Sequence, residues 1–189
     1  MGDRRLFTAV RPPPAQLAEL EDFLGTVGFF DAGVGLVHPE KWHITLSFMP
    51  AVQTRQLEAL HDALVRVASD TAPLELVLRH AGTFARSGTS TPIWMGVEGD
   101  LTHLARLASG CRTAGHRSGV RVDSPKHYRP HLTLSRHRPE KHGALWLERL
   151  DTFRGTPWTV TELVLVESVL GGHRQPARHG IIERHPLTG

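Results

Sequence analysis

One five-residue pattern occurs twice in this chain, as His43-Ile44-Thr45-Leu46-Ser47 and as His131-Leu132-Thr133-Leu134-Ser135. Each copy alternates polar and apolar residues with a period of two, the mark of a β-strand with one buried face. Strict alternation puts His43, Thr45 and Ser47 on one face and Ile44, Leu46 and Phe48 on the other. His131, Thr133 and Ser135 oppose Leu132 and Leu134 in the same way. A bare His-x-Thr arises by chance about once in such a chain, and a lone strand histidine beside a threonine is ordinarily a hydrogen-bonded structural pair. Two copies of the longer pattern constrain both the architecture and the chemistry.

The surrounding elements repeat with the motif. After a strand at 5–10 and the Pro12-Pro13-Pro14 break, Leu17, Leu20, Leu24 and Val27 fall at helical spacing. A strand over 42–48 follows, then a helix marked by Leu57, Leu60, Leu64 and Val67. Strands over 74–78 and 93–97 flank a loop at 86–91. The second round predicts a helix at Leu101, Leu104, Leu107 and Cys111, a loop over 119–126 and a strand over 130–135. A helix over 140–150 comes next, then a strand over 158–169, a Gly171-Gly172 turn and a strand over 180–184. Helix–strand–helix–strand–strand thus appears twice, over about 15–97 and 101–185, within one domain of 189 residues. Helices between strands are also compatible with a parallel doubly wound sheet. Two consecutive, closely connected strands at the end of each unit favour an α+β fold instead. The expectation is two pseudo-symmetric lobes, each with a mostly antiparallel sheet flanked by helices.

Composition narrows the context. Apolar residues make up 40% of the chain, enough for a packed core. No apolar run reaches the roughly 18–20 residues of a membrane-spanning helix, so no membrane association is expected. Cys111 is the single cysteine, which excludes an internal disulfide or a thiolate metal cluster and fits a cytoplasmic protein. A monomer is the expected state. Net charge is +3, yet residues 112–142 hold eight Lys/Arg against Asp123 and Glu140. Such a stretch can attract a phosphate-bearing ligand or be a solvated basic loop.

Two such strands facing each other across a cleft clamp one phosphate. Residues i and i+2 lie about 6.5–7 Å apart along a strand, so threonine and histidine can reach neighbouring phosphoryl oxygens. In-line displacement at phosphorus wants a base on one side and an acid on the other. Imidazole titrates near neutrality and can serve as either. A metal site is the poorer reading, because Thr is a weak zinc ligand and no carboxylate recurs beside the motif. The remaining histidines, among them His61, His179 and His185, have no repeated partner and carry no assignment.

The segments Trp42–Phe48 and Tyr128–Arg136 resemble the LigT/ThpR-like RNA 2′,3′-cyclic phosphodiesterase family, within the two-histidine phosphoesterases. Arg5-Leu6-Phe7-Thr8-Ala9-Val10 is similar to that family's first strand, and Trp158–Leu163 to a late one. The resemblance implies a bilobal α+β fold with the active-site cleft between the lobes. It implies hydrolysis of RNA 2′,3′-cyclic phosphate ends to 2′-phosphomonoesters, with no metal or other cofactor. His43 would donate a proton to the O3′ leaving group and His131 accept one from water. Thr45, Thr133 and Arg136 would hold the phosphate, although strict alternation turns Arg136 away from the His131 face. Met49-Pro50 departs from the family pattern after Phe48, and Pro50 is a candidate strand terminator. Phe7 and Phe48 read as core residues rather than base-stacking ones, and Arg129 is equally compatible with site and surface. Microscopic reversibility allows a secondary 2′–5′ RNA ligase activity. An RNA-end-binding module without turnover and a metal-dependent phosphodiesterase are the competing classes.

Overall fold

The computed structural model describes residues 3–33, 35–84, 92–123, 125, 127–136, 143–171 and 177–189. The loop expected at 86–91 lies outside them, as do Gly172, the start of the 140–150 helix, and Lys126, Arg138 and Lys141 of the basic stretch. The strands are β1 (Arg4–Val10), β2 (Ile44–Val52), β3 (Leu74–Thr83), β4 (Ile93–Gly99), β5 (His131–Ser135), β6 (Trp158–Val160), β7 (Glu162–Val169) and β8 (Arg178–Pro186). The helices are α1 (Pro14–Thr26), α2 (Leu57–Ser69), α3 (Leu101–Arg117) and α4 (Gly143–Leu150).

Each helix forms where the apolar spacing places it. Pro14 opens α1 at the position where a missing N–H costs nothing, and Leu20 and Leu24 face inward. A Gln53/Gln56 capping box precedes α2, which buries Leu60, Ala63, Leu64 and Ala68. On α3, Leu104, Leu107, Ala108, Cys111 and Ala114 are buried. All four helices contribute to one large core with the strands, while Phe7, Ala9, Val164 and Val166 form a small separate cluster. No helix among the described residues is long and apolar enough to cross a membrane.

The α+β class holds, but the expected two sheets are one. The eight strands form an antiparallel sheet in the order β6-β3-β4-β5-β2-β1-β7-β8. Its two four-stranded halves meet at a single register pair, Ile44 opposite Leu132. Beyond that pair the strands part, because other segments take their edges. Val37 N–H donates to the Leu134 carbonyl and Arg136 N–H to that of Gly35, while Asp123 N–H donates to the Phe48 carbonyl. The stretch before β2 thus straps β5, and the stretch before β5 straps β2. Each half mixes strands from 15–97 and 101–185: β3 and β4 sit with β5 and β6, and β2 sits with β1, β7 and β8.

Two local expectations need correction. The strand expected over 158–169 is two strands, separated only by Thr161, whose carbonyl accepts from Leu187 N–H. Because β6 pairs with β3 while β7 lies between β1 and β8, the sheet must curl to bring its ends within one residue of each other. Nor does Pro50 end β2, which runs on to Val52. Leu6 faces Met49 and Arg4 faces Val52, so β2 has one extra residue there; a bulge accommodates a proline that cannot donate to the ladder.

Candidate active site

The same bulge occurs in both motif strands and inverts the alternation halfway along each. On β1, Thr8 faces Ser47 and Ala9 faces Thr45, which leaves Leu46 as the extra residue. On β4, Ile93 faces Ser135 and Trp94 faces Thr133, which leaves Leu134 extra. Ser47 and Ser135, expected beside the histidines, are therefore turned into the protein, with 3% and 0% exposure. The Ser47 hydroxyl lies 2.8 Å from that of Thr8, and Thr8 in turn hydrogen-bonds the Cys111 thiol, which burial pushes up to about 12. Cys111 is thus a core residue rather than a nucleophile. The bulges also return Phe48 and Arg136 to the cleft side, where Arg136 lines the same cavity as His131 and Thr133.

The two histidines are held identically. His43 Nδ1 lies 2.6 Å from the Lys41 carbonyl, and His131 Nδ1 lies 2.8 Å from the Arg129 carbonyl. A carbonyl only accepts, so each Nδ1 carries the hydrogen and each neutral ring keeps its Nε2 lone pair for the cleft. Phe7 stacks on His43 at 4.6 Å between centroids. His131 meets Phe84 edge-on at 4.9 Å and Trp94 at 6.1 Å. Gly82 stands opposite Trp94 and lets the indole lie against the backbone; a Cβ there would sit 2.2 Å from the ring. Tyr128 donates to the Thr45 carbonyl at 3.1 Å, tying the approach to β5 to β2.

Burial sets the protonation of the pair. It lowers His43 to about 4, with His179, Arg11 and His131 adding to the effect against the Lys41 hydrogen bond. Burial also lowers His131, against the hydrogen bond to the Arg129 carbonyl, with the Arg129 charge adding to the lowering. Both rings are neutral near pH 7 when no anion is bound.

His43, Thr45, His131, Thr133 and Arg136 line one cavity of about 170 Å³, completed by Lys41 and His179. A second cavity, of about 590 Å³, shares Thr45 and His131 and is walled by Phe48, Phe84, Tyr128 and Arg129. Of the described basic residues in 112–142, only Arg129 and Arg136 reach these cavities; Arg112 lies over the Tyr128 ring and Arg117 lines a groove between α2 and α3. Phe7 and Phe48 combine both readings: they pack in the small cluster and border the site.

Sequence reasoning missed His179 and Lys41. Lys41 does have a signal: a basic residue stands two places before each motif histidine, at Lys41 and Arg129. His179 has none. It reaches His43 (5.6 Å) and Phe7 (5.2 Å) only because β8 lies beside β7 in the curled sheet.

A curled antiparallel sheet with matched histidines on its two central strands defines a duplicated two-histidine architecture. Residues 12–172 match the 2'-5' RNA ligase superfamily, and the chain belongs to it. Curated relatives named RNA 2',3'-cyclic phosphodiesterase include one from Archaeoglobus fulgidus, 34% identical over 107 residues, which cover 56% of this chain and 57% of that one. Another, from Geobacillus stearothermophilus, is 33% identical over 103 residues, covering 53% and 31%. The match therefore spans less than two thirds of either relative. Among solved structures, E. coli LigT in apo form superposes with a TM-score of 0.80 at 24% identity over 100% of both chains. LigT complexed with 3'-AMP gives 0.78 at 25% identity over 99% of both.

Proposed function

We propose that this protein hydrolyses RNA 2′,3′-cyclic phosphate ends to 2′-phosphomonoesters, using two histidines and no metal. The observation that carries the reading is the matched pair: His43 and His131 each have Nδ1 tied to a carbonyl and line one phosphate-sized cavity with Thr45, Thr133 and Arg136. The names of the curated relatives and the 3'-AMP complex of LigT support RNA ends as the substrate class.

In this reading the cyclic phosphate sits between the rings. The Thr45 and Thr133 hydroxyls and the Arg136 guanidinium hold its non-bridging oxygens and stabilise charge in the transition state. His131 Nε2 takes a proton from water as the water oxygen bonds to phosphorus. His43 Nε2 gives a proton to O3′ as the P–O3′ bond breaks, leaving the phosphate on O2′. The assignment of acid to His43 and base to His131 follows the family resemblance. Burial alone leaves His43 neutral, and the bound phosphodiester anion supplies the opposite charge that restores its proton. The larger cavity takes the nucleoside against Phe48, Phe84 and Tyr128, whose apolar walls suit any base. The whole chain acts as one domain with the cleft between its halves, and 2′–5′ ligation is the same displacement with a 5′-hydroxyl in place of water: O5′ bonds to phosphorus, His131 takes its proton, and the P–O3′ bond breaks with a proton from His43.

The test is incubation of EDTA-treated protein with an oligoribonucleotide ending in a 2′,3′-cyclic phosphate. The expected product carries a 2′-phosphate, is sensitive to phosphatase and resists a nuclease specific for 3′-phosphate ends. A 3′-phosphate product would reverse the direction. Activity lost on EDTA treatment and restored by a divalent ion would make the enzyme metal-dependent. Binding without turnover would leave an RNA-end-binding module.

A further inference from the structure

The outer strand β8 carries Glu183 and His185, and α2 brings His61 over them. Their donor atoms converge. His61 Nδ1 and His185 Nε2 both lie 3.0 Å from the same oxygen, Glu183 Oε2, and all three donor atoms fall within 4.8 Å of one another. The rings stand 5.5 Å apart. None of the three lines the cavity that holds His43 and His131.

We infer that His61, Glu183 and His185 form a second, separate site that binds one divalent transition-metal ion, of the zinc type, and clips α2 to the outer strand. Two imidazoles and one carboxylate are the donor set of borderline ions such as Zn²⁺ and Ni²⁺, and a poor one for Mg²⁺ or Ca²⁺. His185 is 4% exposed and stands within reach of the carboxylate, so one ligand is pre-positioned by packing. The side chains of His61 and Glu183 are 49% and 26% exposed, which leaves an open path and room for water to complete the coordination. The two N–H···O hydrogen bonds give way to two N–metal bonds and one O–metal bond, each ring proton passing to the other nitrogen. Arg4 is close enough to interact with Glu183, and it is engaged in a bidentate pair with Glu167 at 2.7 and 2.9 Å. The ligands are joined across 122 residues of chain, so the clip restrains parts of the protein that are distant in sequence.

The experiment is zinc binding to the EDTA-stripped full chain by equilibrium dialysis, with the thermal midpoint read at rising zinc concentration. The wild type is expected to bind one equivalent of Zn²⁺ that His61→Ala and Glu183→Gln bind at least tenfold more weakly. Its midpoint should rise with zinc while theirs stays flat, and His131→Ala, altered in the other cavity, should retain the site. His61 is half-exposed on a helix, where alanine is a good helix former, so that variant keeps the fold. Equal zinc stoichiometry and equal midpoint shifts in wild type and His61→Ala would overturn the assignment. Hydrolysis of a cyclic phosphate is expected to be unchanged in His61→Ala, so the two readings fail independently.

Discussion

Ile44 stands opposite Leu132 in the one register pair that joins β2 to β5, and both side chains are fully buried. His43 immediately precedes the first and His131 the second, so this contact sets the spacing of the two imidazoles. Leu132→Ala should destabilise the protein by about 2–5 kcal/mol through lost burial and a residual cavity. It should also lower kcat, because the cleft loses its register. Denaturant unfolding alongside steady-state rates checks both; loss of stability with an intact kcat would separate the seam from the site.

The pH dependence of turnover follows from burial of the pair. With one ring acting as base and one as acid, kcat/KM has limbs at the two free-enzyme pKa values. These lie at about 4 for His43 and below the ordinary 6.5 for His131. The profile should therefore be shifted to the acid side of ordinary imidazoles and fall tenfold per pH unit above its upper limb. The limbs of kcat should lie higher, since the bound anion favours protonation. A kcat/KM profile centred on ordinary imidazole values would contradict the burial argument.

Stability should depend on pH through the same ring. His43 in the folded chain stays unprotonated until about pH 4, whereas in the unfolded chain it takes up a proton near 6.5. Between these values unfolding binds a proton, so stability contributed by the neutral buried ring is lost as pH falls from 6.5 toward 4. His43→Gln removes that term. Its stability relative to wild type should improve by roughly 2–3 kcal/mol on going from pH 7.5 to 4.5, measured by denaturant unfolding at both values.

The bulges at Leu46 and Leu134 give Arg136 and the serines opposite duties. Arg136→Ala should lower kcat/KM about 10²–10³-fold, the usual cost of one lost oxyanion donor, with little change in thermal midpoint. Ser47→Ala should do the reverse, costing about 1 kcal/mol because the buried Thr8 hydroxyl loses one of its two partners and keeps the Cys111 thiol, while kcat/KM holds.

Most elements were legible because period and punctuation agree locally: the leucines of α1 and α2, the Pro12–Pro14 break and the paired motifs all read directly. Placement of the two histidines on matched strands was legible because the pattern repeats. Facing was not, because a one-residue bulge changes nothing in composition, yet it sends Ser47 and Ser135 inward and Arg136 outward. The break at Thr161 was hidden because β-branched residues continue on both sides of it, and only the curl of the sheet separates β6 from β7. His179 was illegible for a similar reason: its place beside His43 depends on strand order, which no local pattern encodes.

On the proposed function, His43 and His131 act as one acid–base pair on a cyclic phosphate. The most direct measurement is kcat/KM on an RNA 2′,3′-cyclic phosphate end for wild type, His43→Ala, His131→Ala and the double variant, all EDTA-treated and checked for folding. Each single change should cost at least 10²–10⁴-fold, and the double change little more, because groups acting in one step are not additive. A single variant that keeps near-wild-type kcat/KM, or two losses that simply multiply, would contradict the claim.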